Sequence, residues 1–317
     1  MRPYSLLAPA KINLYLEILG DRPDGYHELV MLLQSIALAD RVDLRANGTE
    51  EIRVLCDHPQ VPCDRTNLAY RAAELMAEEF PESFAQFGGI EIAITKQIPV
   101  AAGLAGGSAD AAAVLMGLDM MWQLGLTQPE LQDLAAQIGS DIPFCITGGT
   151  AIATGRGEHL SFLPNINSYY VVLAKYRNLE VSTPWAYKTY RSQFGDTYID
   201  DAESLESRMA HVHSGPMVKA LLSKDGKQIG KLLHNDLEKV VLSTYPQVLE
   251  LRDVLQKSGA LGVLMSGSGP TVFALCESEA QARKVQQKAR AAIADPGLDF
   301  WITTFSNWGV QVVSPVS

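Results

Sequence analysis

The chain has 317 residues, 47% hydrophobic and 20% charged, which is the profile of a globular protein long enough for one large core or two smaller ones. A formal net charge of -10 excludes a broad electrostatic footprint for nucleic acid or an anionic membrane, so an anionic ligand has to be met locally by a few cations or backbone N–H groups. The four cysteines, Cys56, Cys63, Cys145 and Cys276, form no C-x-x-C pair and no metal-ligand spacing, which leads to the expectation of reduced, structural thiols and a cytoplasmic protein.

The opening run MRPYSLLAPAKINLYLEIL lacks the layout of a signal peptide, because Lys11 interrupts a short apolar stretch. Period-two alternation through Ile12, Leu14, Leu16 and Ile18, then Val42 and Leu44, then Ile90, Ile92 and Ile94 predicts strands with one buried face. Asp24-Gly25 marks a hairpin turn. Between the strands, residues 64–80 carry a helical stripe (Leu68, Ala72, Leu75, Met76), with Asp64 placed as its N-cap. A second helix follows the glycine run PVAAGLAGGSADAAAVL, its stripe formed by Ala111, Leu115, Leu118 and Trp122 and its left-handed cap by Gly125. Thr127 and Glu130 make a capping box for a third helix, whose stripe is Leu131, Leu134, Ala135 and Ile138 and which stops at Gly139. Asp141 comes just past that end, and the nearby Pro143 argues for an extended conformation there. Periodicity lapses at 155–168, the expected domain boundary. A strand at Val171–Ala174, several helices, a strand-loop-strand within the uncharged run Ser258–Cys276 and a late helix at 278–294 complete the order. Interleaved strands and helices without internal repeats point to two α+β domains, 1–160 and 161–317.

Three short stretches carry potential chemistry. Gly103, Gly106, Gly107 and Ser108 precede a run of alanines, as a phosphate loop opening a helix would: glycines let backbone N–H groups approach the anion, and the helix end adds its dipole. Neither a Walker A nor a G-x-G-x-x-G sequence occurs. A tight strand-to-helix turn would read the same way. The second stretch, Met265-Ser266-Gly267-Ser268-Gly269-Pro270, is by itself a turn between apolar segments. In the third, Pro9-Ala10-Lys11-Ile12-Asn13-Leu14, a lysine and an asparagine interrupt an apolar strand, where Lys11 is either functional or an edge-strand charge.

In order and spacing the three stretches resemble the three motifs of the GHMP kinases, named for galactokinase, homoserine kinase, mevalonate kinase and phosphomevalonate kinase. Pro99, Gly103, Leu104 and Ser108 fall on that superfamily's central motif. The resemblance implies a ribosomal protein S5 domain 2-like N-terminal domain, a ferredoxin-like α/β sandwich after it, and an active site in the cleft between them. Within the superfamily, PAKINLYLEILGDRPDGYHEL is similar to the N-terminus of the 4-diphosphocytidyl-2-C-methyl-D-erythritol (CDP-ME) kinases, as are Gly139-Ser140-Asp141-Ile142-Pro143-Phe144 and Asn235-Asp236-Leu237-Glu238 to later segments. That family implies ATP-dependent phosphorylation of the 2-hydroxyl of CDP-ME in isoprenoid precursor synthesis by the non-mevalonate route.

Carried over by position, the resemblance makes Lys11 and Asp141 the catalytic pair, with Asp141 accepting the hydroxyl proton. It makes Pro99, Val100, Ala101, Ala102, Gly103, Leu104, Ala105, Gly106, Gly107, Ser108 and Ala109 the ATP phosphate loop, with Asn67 and Lys96 near the nucleotide. Lys96 also ends a strand, where lysine serves solubility alone. Asn13, Tyr26, His27, Thr183, Tyr187, Gly267, Ser268 and Gly269 form the substrate side: Tyr26 and Tyr187 stack on cytosine and His27 bonds its polar edge, with Trp185 the competitor of Tyr187 and core packing the alternative for Tyr187. Where many relatives carry two serines, Ser108 is followed by Ala109, so a second hydroxyl is lacking, although a backbone cradle needs none. Mg²⁺ is expected to accompany ATP, with no carboxylate singled out as its ligand. CDP-ME and ATP are the implied partners of a monomer or weak homodimer. A kinase for homoserine or mevalonate is the alternative within the fold, and a catalytically silent nucleotide binder the alternative outside it.

Overall fold

The computed structural model describes residues 2–166 and 169–314. The chain opens with two long strands, β1 (Tyr4–Asp21) and β2 (His27–Ala46), joined by the hairpin at Asp24-Gly25, where Gly25 takes a φ of 84°. A parallel crossover follows: β3 (Ile52–Cys56), α1 (Leu68–Glu79), α2 (Pro81–Phe87) and β4 (Ile90–Thr95), with β3 and β4 side by side. Next come α3 (Gly106–Trp122), α4 (Gln128–Ile138), α5 (Ile142–Thr147) and the hairpin of β5 (Thr150–Gly155) and β6 (His159–Leu163).

The second half holds β7 (Tyr170–Tyr176), α6 (Thr183–Phe194), α7 (Ala202–His213), α8 (Pro216–Leu222), α9 (Gly226–Leu232), β8 (His234–Asn235), α10 (Glu238–Thr244) and α11 (Pro246–Lys257). It closes with β9 (Gly262–Met265), β10 (Val272–Cys276), α12 (Glu279–Ala292), β11 (Leu298–Thr304) and β12 (Gln311–Val313). An antiparallel sheet runs in the order β11-β7-β10-β9, while β8 and β12 cross back and pair with β1. The expected division at 160/161 falls inside β6, and the first sheet gives way to the second between Leu163 and Tyr170. Residues 167–168 of the proposed boundary stretch lie outside the described residues.

The single buried face expected for β1 is corrected. Leu6 and Ala8 pack with α1, α3 and α4; Ile12 and Leu14 pack with Leu173, Phe273 and Leu221; Leu16 and Ile18 pack with Val172, Val263 and Val241. Helices cover one side of the first sheet and the second half of the chain covers the other, so β1 is enclosed over most of its length. Ile90, Ile92 and Ile94 of β4 keep the alternating pattern.

Helix ends show which local bonds win. Asn67, not Asp64, caps α1: its side chain accepts from the Ala69 N–H at 2.8 Å, while Asp64 turns back to the Thr66 N–H at 2.9 Å. The apolar stripe cannot distinguish two capping residues three apart. For α3 the left-handed cap is Gln123, and Gly125 takes its positive φ two residues later. The capping box of α4 forms, with Glu130 accepting from the Thr127 N–H at 2.8 Å. All four cysteines are free thiols, and no helix of the described residues is long and apolar enough to cross a membrane.

Strand β8 is tied to β1 by Asp236, whose carboxylate accepts from the Ile18 N–H at 2.9 Å, His234 at 3.1 Å and Lys239 at 2.8 Å. Burial alone would raise this carboxyl, but the His234, Lys239 and Ile18 bonds outweigh it and hold the group at about 2. A folded-state value below the unfolded one means stability that is complete above the unfolded value and lost as pH falls through the folded one. The stability difference between the protein and Asp236→Asn should therefore shrink by about 2 kcal/mol between about pH 5 and pH 2, read by urea unfolding at each pH. A difference that stays constant across that window would disprove the linkage.

Candidate active site

The three sequence stretches meet at the mouth between the two sheets. The Lys11 N–H donates to the Leu104 carbonyl at 3.1 Å, and the Ser266 hydroxyl donates to the Gly103 carbonyl at 3.1 Å. Gly103 has to be glycine. Its φ is 72°, and a Cβ there would lie 2.2 Å from the Ser266 carbonyl oxygen.

Lys11 stands between register shifts of β1 at Pro9/Lys11 and Asn13/Tyr15. Its side chain is nearly enclosed, at 6% exposed, and its ammonium lies 3.4 Å from the Asp141 carboxylate and donates to Asn13 Oδ1 at 2.7 Å. Asp141 is not extended as expected. At φ -84° and ψ -13° it is the N-cap position of the short helix α5, because Pro143 constrains Ile142 and not the residue before it. Its side chain caps nothing, so the carboxylate remains free to face Lys11 and the cavity.

The loop between β4 and α3 turns on positive φ values at Ala101 (49°), Gly103 (72°) and Ala105 (57°). It delivers the chain into α3, whose residues from Ala109 to Leu115 are all buried. Beyond its first turn the helix is therefore enclosed on every side as far as Leu115, rather than along the single stripe expected. Its N-terminal N–H groups lack intrahelical acceptors and lie at the cavity. Beneath the loop, Lys96 bridges Asp40 and Asp110, the latter at 2.8 Å, while Asp40 also accepts from the Gln97 and Ile98 N–H groups at 2.6 and 2.8 Å. The solubility reading of Lys96 is overturned, since its side chain is 5% exposed. Burial would lower its ammonium, but Asp110 and Asp40 outweigh that and raise it; burial pushes the Asp110 carboxyl up as well.

On the opposite wall, His27 lies against Tyr187 with ring centroids 5.1 Å apart, and its Nε2 is buried without a hydrogen-bond partner, the Asp21 carboxylate lying 3.8 Å away. Burial lowers its pKa, opposed by Asp21 and assisted by Arg191, so at neutral pH the ring is a neutral donor and acceptor. Burial, with the nearby Asp141 charge, raises the Tyr187 phenol. Tyr26 is half exposed, with the Arg156 guanidinium 5.1 Å from its ring centroid. Trp185 packs edge-on against Tyr245 and lies outside the cavity lining. The Thr183 and Ser268 hydroxyls are 2.8 Å apart, joining α6 to the third loop.

These groups line one cavity of about 880 Å³. Of the residues expected at the site, Lys11, Asn13, Tyr26, His27, Asn67, Lys96, Pro99 to Ser108, Asp141, Thr183, Tyr187, Gly267 and Ser268 line it. Two do not. Ala109 is buried in α3 with its N–H bonded to the Ala105 carbonyl at 2.9 Å, and a Cβ on Gly269 would meet Met265. Asn67 is at the cavity, but its amide is engaged by the α1 cap and by the Pro62 carbonyl at 2.6 Å. Sequence reasoning missed Arg156, Lys188 and Arg191, which also line the cavity. Thr183, Tyr187 and Arg191 recur every four residues along α6, and this helical spacing was the available signal.

Residues 67–149 match the GHMP kinases N terminal domain, and residues 217–295 match GHMP kinases C terminal. A 4-diphosphocytidyl-2-C-methyl-D-erythritol kinase of Nostoc punctiforme is 63% identical over 317 residues, covering 100% of both chains, and one of Synechocystis is 58% identical over 99% of this chain and 100% of its own. The chain belongs to the CDP-ME kinase family of GHMP kinases. A crystal structure of a 4-(cytidine 5'-diphospho)-2C-methyl-D-erythritol kinase matches with a TM-score of 0.73 and 33% identity, over 95% of this chain and 98% of that one. Homoserine kinase from Cytophaga hutchinsonii, at 21% identity and a TM-score of 0.76 over 99% and 98%, shares the GHMP fold. The two-domain α+β architecture and the kinase class expected from the motifs are those of this family.

The close approach at Gly103 yields a test. In a GHMP kinase whose first and third motifs touch the second at the Leu104 and Gly103 carbonyls, Gly103→Ala has to move the loop, because its Cβ would meet the Ser266 backbone, and misplacement by about 1 Å costs about a hundredfold in rate. Gly103→Ala should fold, with kcat/KM for ATP reduced by about that factor; turnover within about threefold of wild type would show that the contact does not set loop position.

Proposed function

We propose that the protein transfers the γ-phosphoryl group of ATP to the 2-hydroxyl of CDP-ME, giving the 2-phosphate and ADP. The observation that carries this reading is the juxtaposition of the Lys11–Asp141 pair, 3.4 Å apart, with a glycine loop on one side and the His27–Tyr187 aromatic pair on the other. In this mechanism Asp141 takes the hydroxyl proton as the oxygen attacks phosphorus, and ADP departs with the electron pair of the broken P–O bond. Lys11, held by Asn13, polarises the hydroxyl and offsets the charge that gathers on the phosphoryl oxygens.

Backbone N–H groups from Gly103 to Ser108 receive the ATP phosphates, and Lys96, with both aspartates already paired to it, serves mainly to fix the loop. Tyr26 and Tyr187 enclose cytosine while the neutral His27 bonds its edge. Gly267 and Ser268 receive the substrate diphosphate. With the chain dividing between Leu163 and Tyr170, this reading assigns the ATP loop and Asp141 to the first unit, while Thr183, Tyr187, Gly267 and Ser268 bring part of the substrate site from the second.

Mg²⁺ fits this site as an ion carried on phosphate oxygens and water. Among the described residues no group of three His, Cys, Asp or Glu side chains is arranged to hold a metal, and the cavity carboxylates of Asp110 and Asp141 are paired with Lys96 and Lys11. When bound, the ion neutralises phosphate charge.

Incubation with ATP and CDP-ME, homoserine or mevalonate in parallel tests the reading: CDP-ME should be phosphorylated in preference, and a preference for either of the others would reject it. Asp141→Asn should lower kcat by at least about a hundredfold with ATP affinity nearly unchanged, measured by steady-state assay and nucleotide titration. Tyr187→Ala should raise KM for CDP-ME by about tenfold while Trp185→Ala leaves it within about twofold, because only the first removes a stacking surface. The reverse order would exchange their roles.

A further inference from the structure

The run Asn235-Asp236-Leu237-Glu238 resembles the family but has no part in the reaction set out above. Asn235 is 4% exposed and sits on β8, opposite Leu16 of β1. Both N–H donors and the oxygen of its side-chain amide are engaged. Nδ2 donates to the carbonyls of Met265 and Gly267, both at 2.8 Å, and Oδ1 accepts from the Leu237 N–H at 3.0 Å. One planar amide thus grips the residues on either side of Ser266. Ser266 is fully buried; its hydroxyl donates to the Gly103 carbonyl at 3.1 Å and stands 3.4 Å from the Asn13 N–H. Contacts therefore run from β8 through the third loop to the phosphate loop and to the partner of Lys11.

We propose that Asn235 is a positioning residue for phosphoryl transfer, its amide setting the third glycine loop against the phosphate loop and thereby fixing where Gly267 and Ser268 meet the acceptor's diphosphate. The inference rests on the reading of those two residues as the diphosphate site. A carboxylate of the same size would turn acceptor oxygens toward two carbonyls, and a methyl group would leave both carbonyls unpaired in a buried place.

The neighbouring residue separates this role from mere fold maintenance. Asp236 fastens β8 to β1 through the Ile18 N–H and makes ion pairs with His234 and Lys239. Its bonds reach neither glycine loop. Strand attachment and loop geometry are thus carried by adjacent side chains.

Steady-state kinetics, with CDP-ME and ATP varied separately, on Asn235→Asp, Asn235→Ala, Ser266→Ala and Asp236→Asn, together with urea unfolding of each, tests the assignment. Both Asn235 variants should raise KM for CDP-ME at least about tenfold with KM for ATP within about twofold, and Asp236→Asn should keep both values despite losing stability. Ser266→Ala, which cuts the link without touching β8, should also raise the acceptor KM, so the inference stays exposed if an Asn235 variant does not fold. Acceptor KM unchanged in the folded Asn235 and Ser266 variants, or shifted equally in Asp236→Asn at matched stability, would overturn it. A wild-type protein inert toward CDP-ME would instead reject the substrate reading and remove this inference with it.

Discussion

The structure depends on placing the Lys11 ammonium inside the protein and pairing it there. Lys11 is almost wholly buried in a strand enclosed on both sides, where an unpaired charge would be costly. Asp141 and Asn13 satisfy it, and each comes from a different device: a short helix whose N-cap side chain is unoccupied, and a residue two places along the same strand. Pairs of this kind contribute little net stability, since desolvation offsets attraction. What the pair does visibly here is set orientation: the carboxylate is the part left facing the cavity.

The same economy governs the anion sites. An acidic chain that binds two highly charged molecules cannot rely on a general positive field. Cations are instead local to the cavity, where Arg156, Lys188 and Arg191 line the wall, and uncharged backbone N–H donors gather at the glycine loop. Lys96, by contrast, meets two carboxylates, so its charge is largely neutralised within the protein. A lysine so close to the glycine loop therefore serves architecture first. Its bridge joins Asp40, which also holds the Gln97 and Ile98 N–H groups, to Asp110 in α3, so both ends of the loop are anchored to one buried cluster.

Much of this was legible in the sequence because motifs are local. The glycine run, the capping box at Thr127 and Glu130, the Asp24-Gly25 turn and the Lys11/Asp141 pairing each depend on residue types at short spacing or on family pattern. What was not legible depends on the third dimension. Nothing in the alternation of β1 reveals that its outer face is covered by residues more than 150 positions away, and nothing local to Lys96 reveals that Asp40 and Asp110 meet it as a buried bridge. Asp64 and Asn67 are both good caps by type, and only the trajectory of the preceding turn selects Asn67. Asp141 was misread for a simpler reason: the restriction from Pro143 falls on Ile142, one residue later.

The glycine loop between β4 and α3 shows how position and strain are balanced. Positive φ at Ala101 and Ala105 costs each alanine roughly 1 kcal/mol or more relative to ordinary backbone regions. Such conformations persist only where surrounding structure determines them more strongly than local preference does. Here the determining contacts are explicit: the Lys11 N–H on the Leu104 carbonyl, the Ser266 hydroxyl on the Gly103 carbonyl, and an α3 buried on every side from Ala109 to Leu115. A loop held from both halves of the chain need not be ordered by its ligand. The conformational cost is met during folding, and the N–H groups are already gathered when an anion arrives, which is the condition under which backbone donors bind phosphate and stabilise charge developing in transfer.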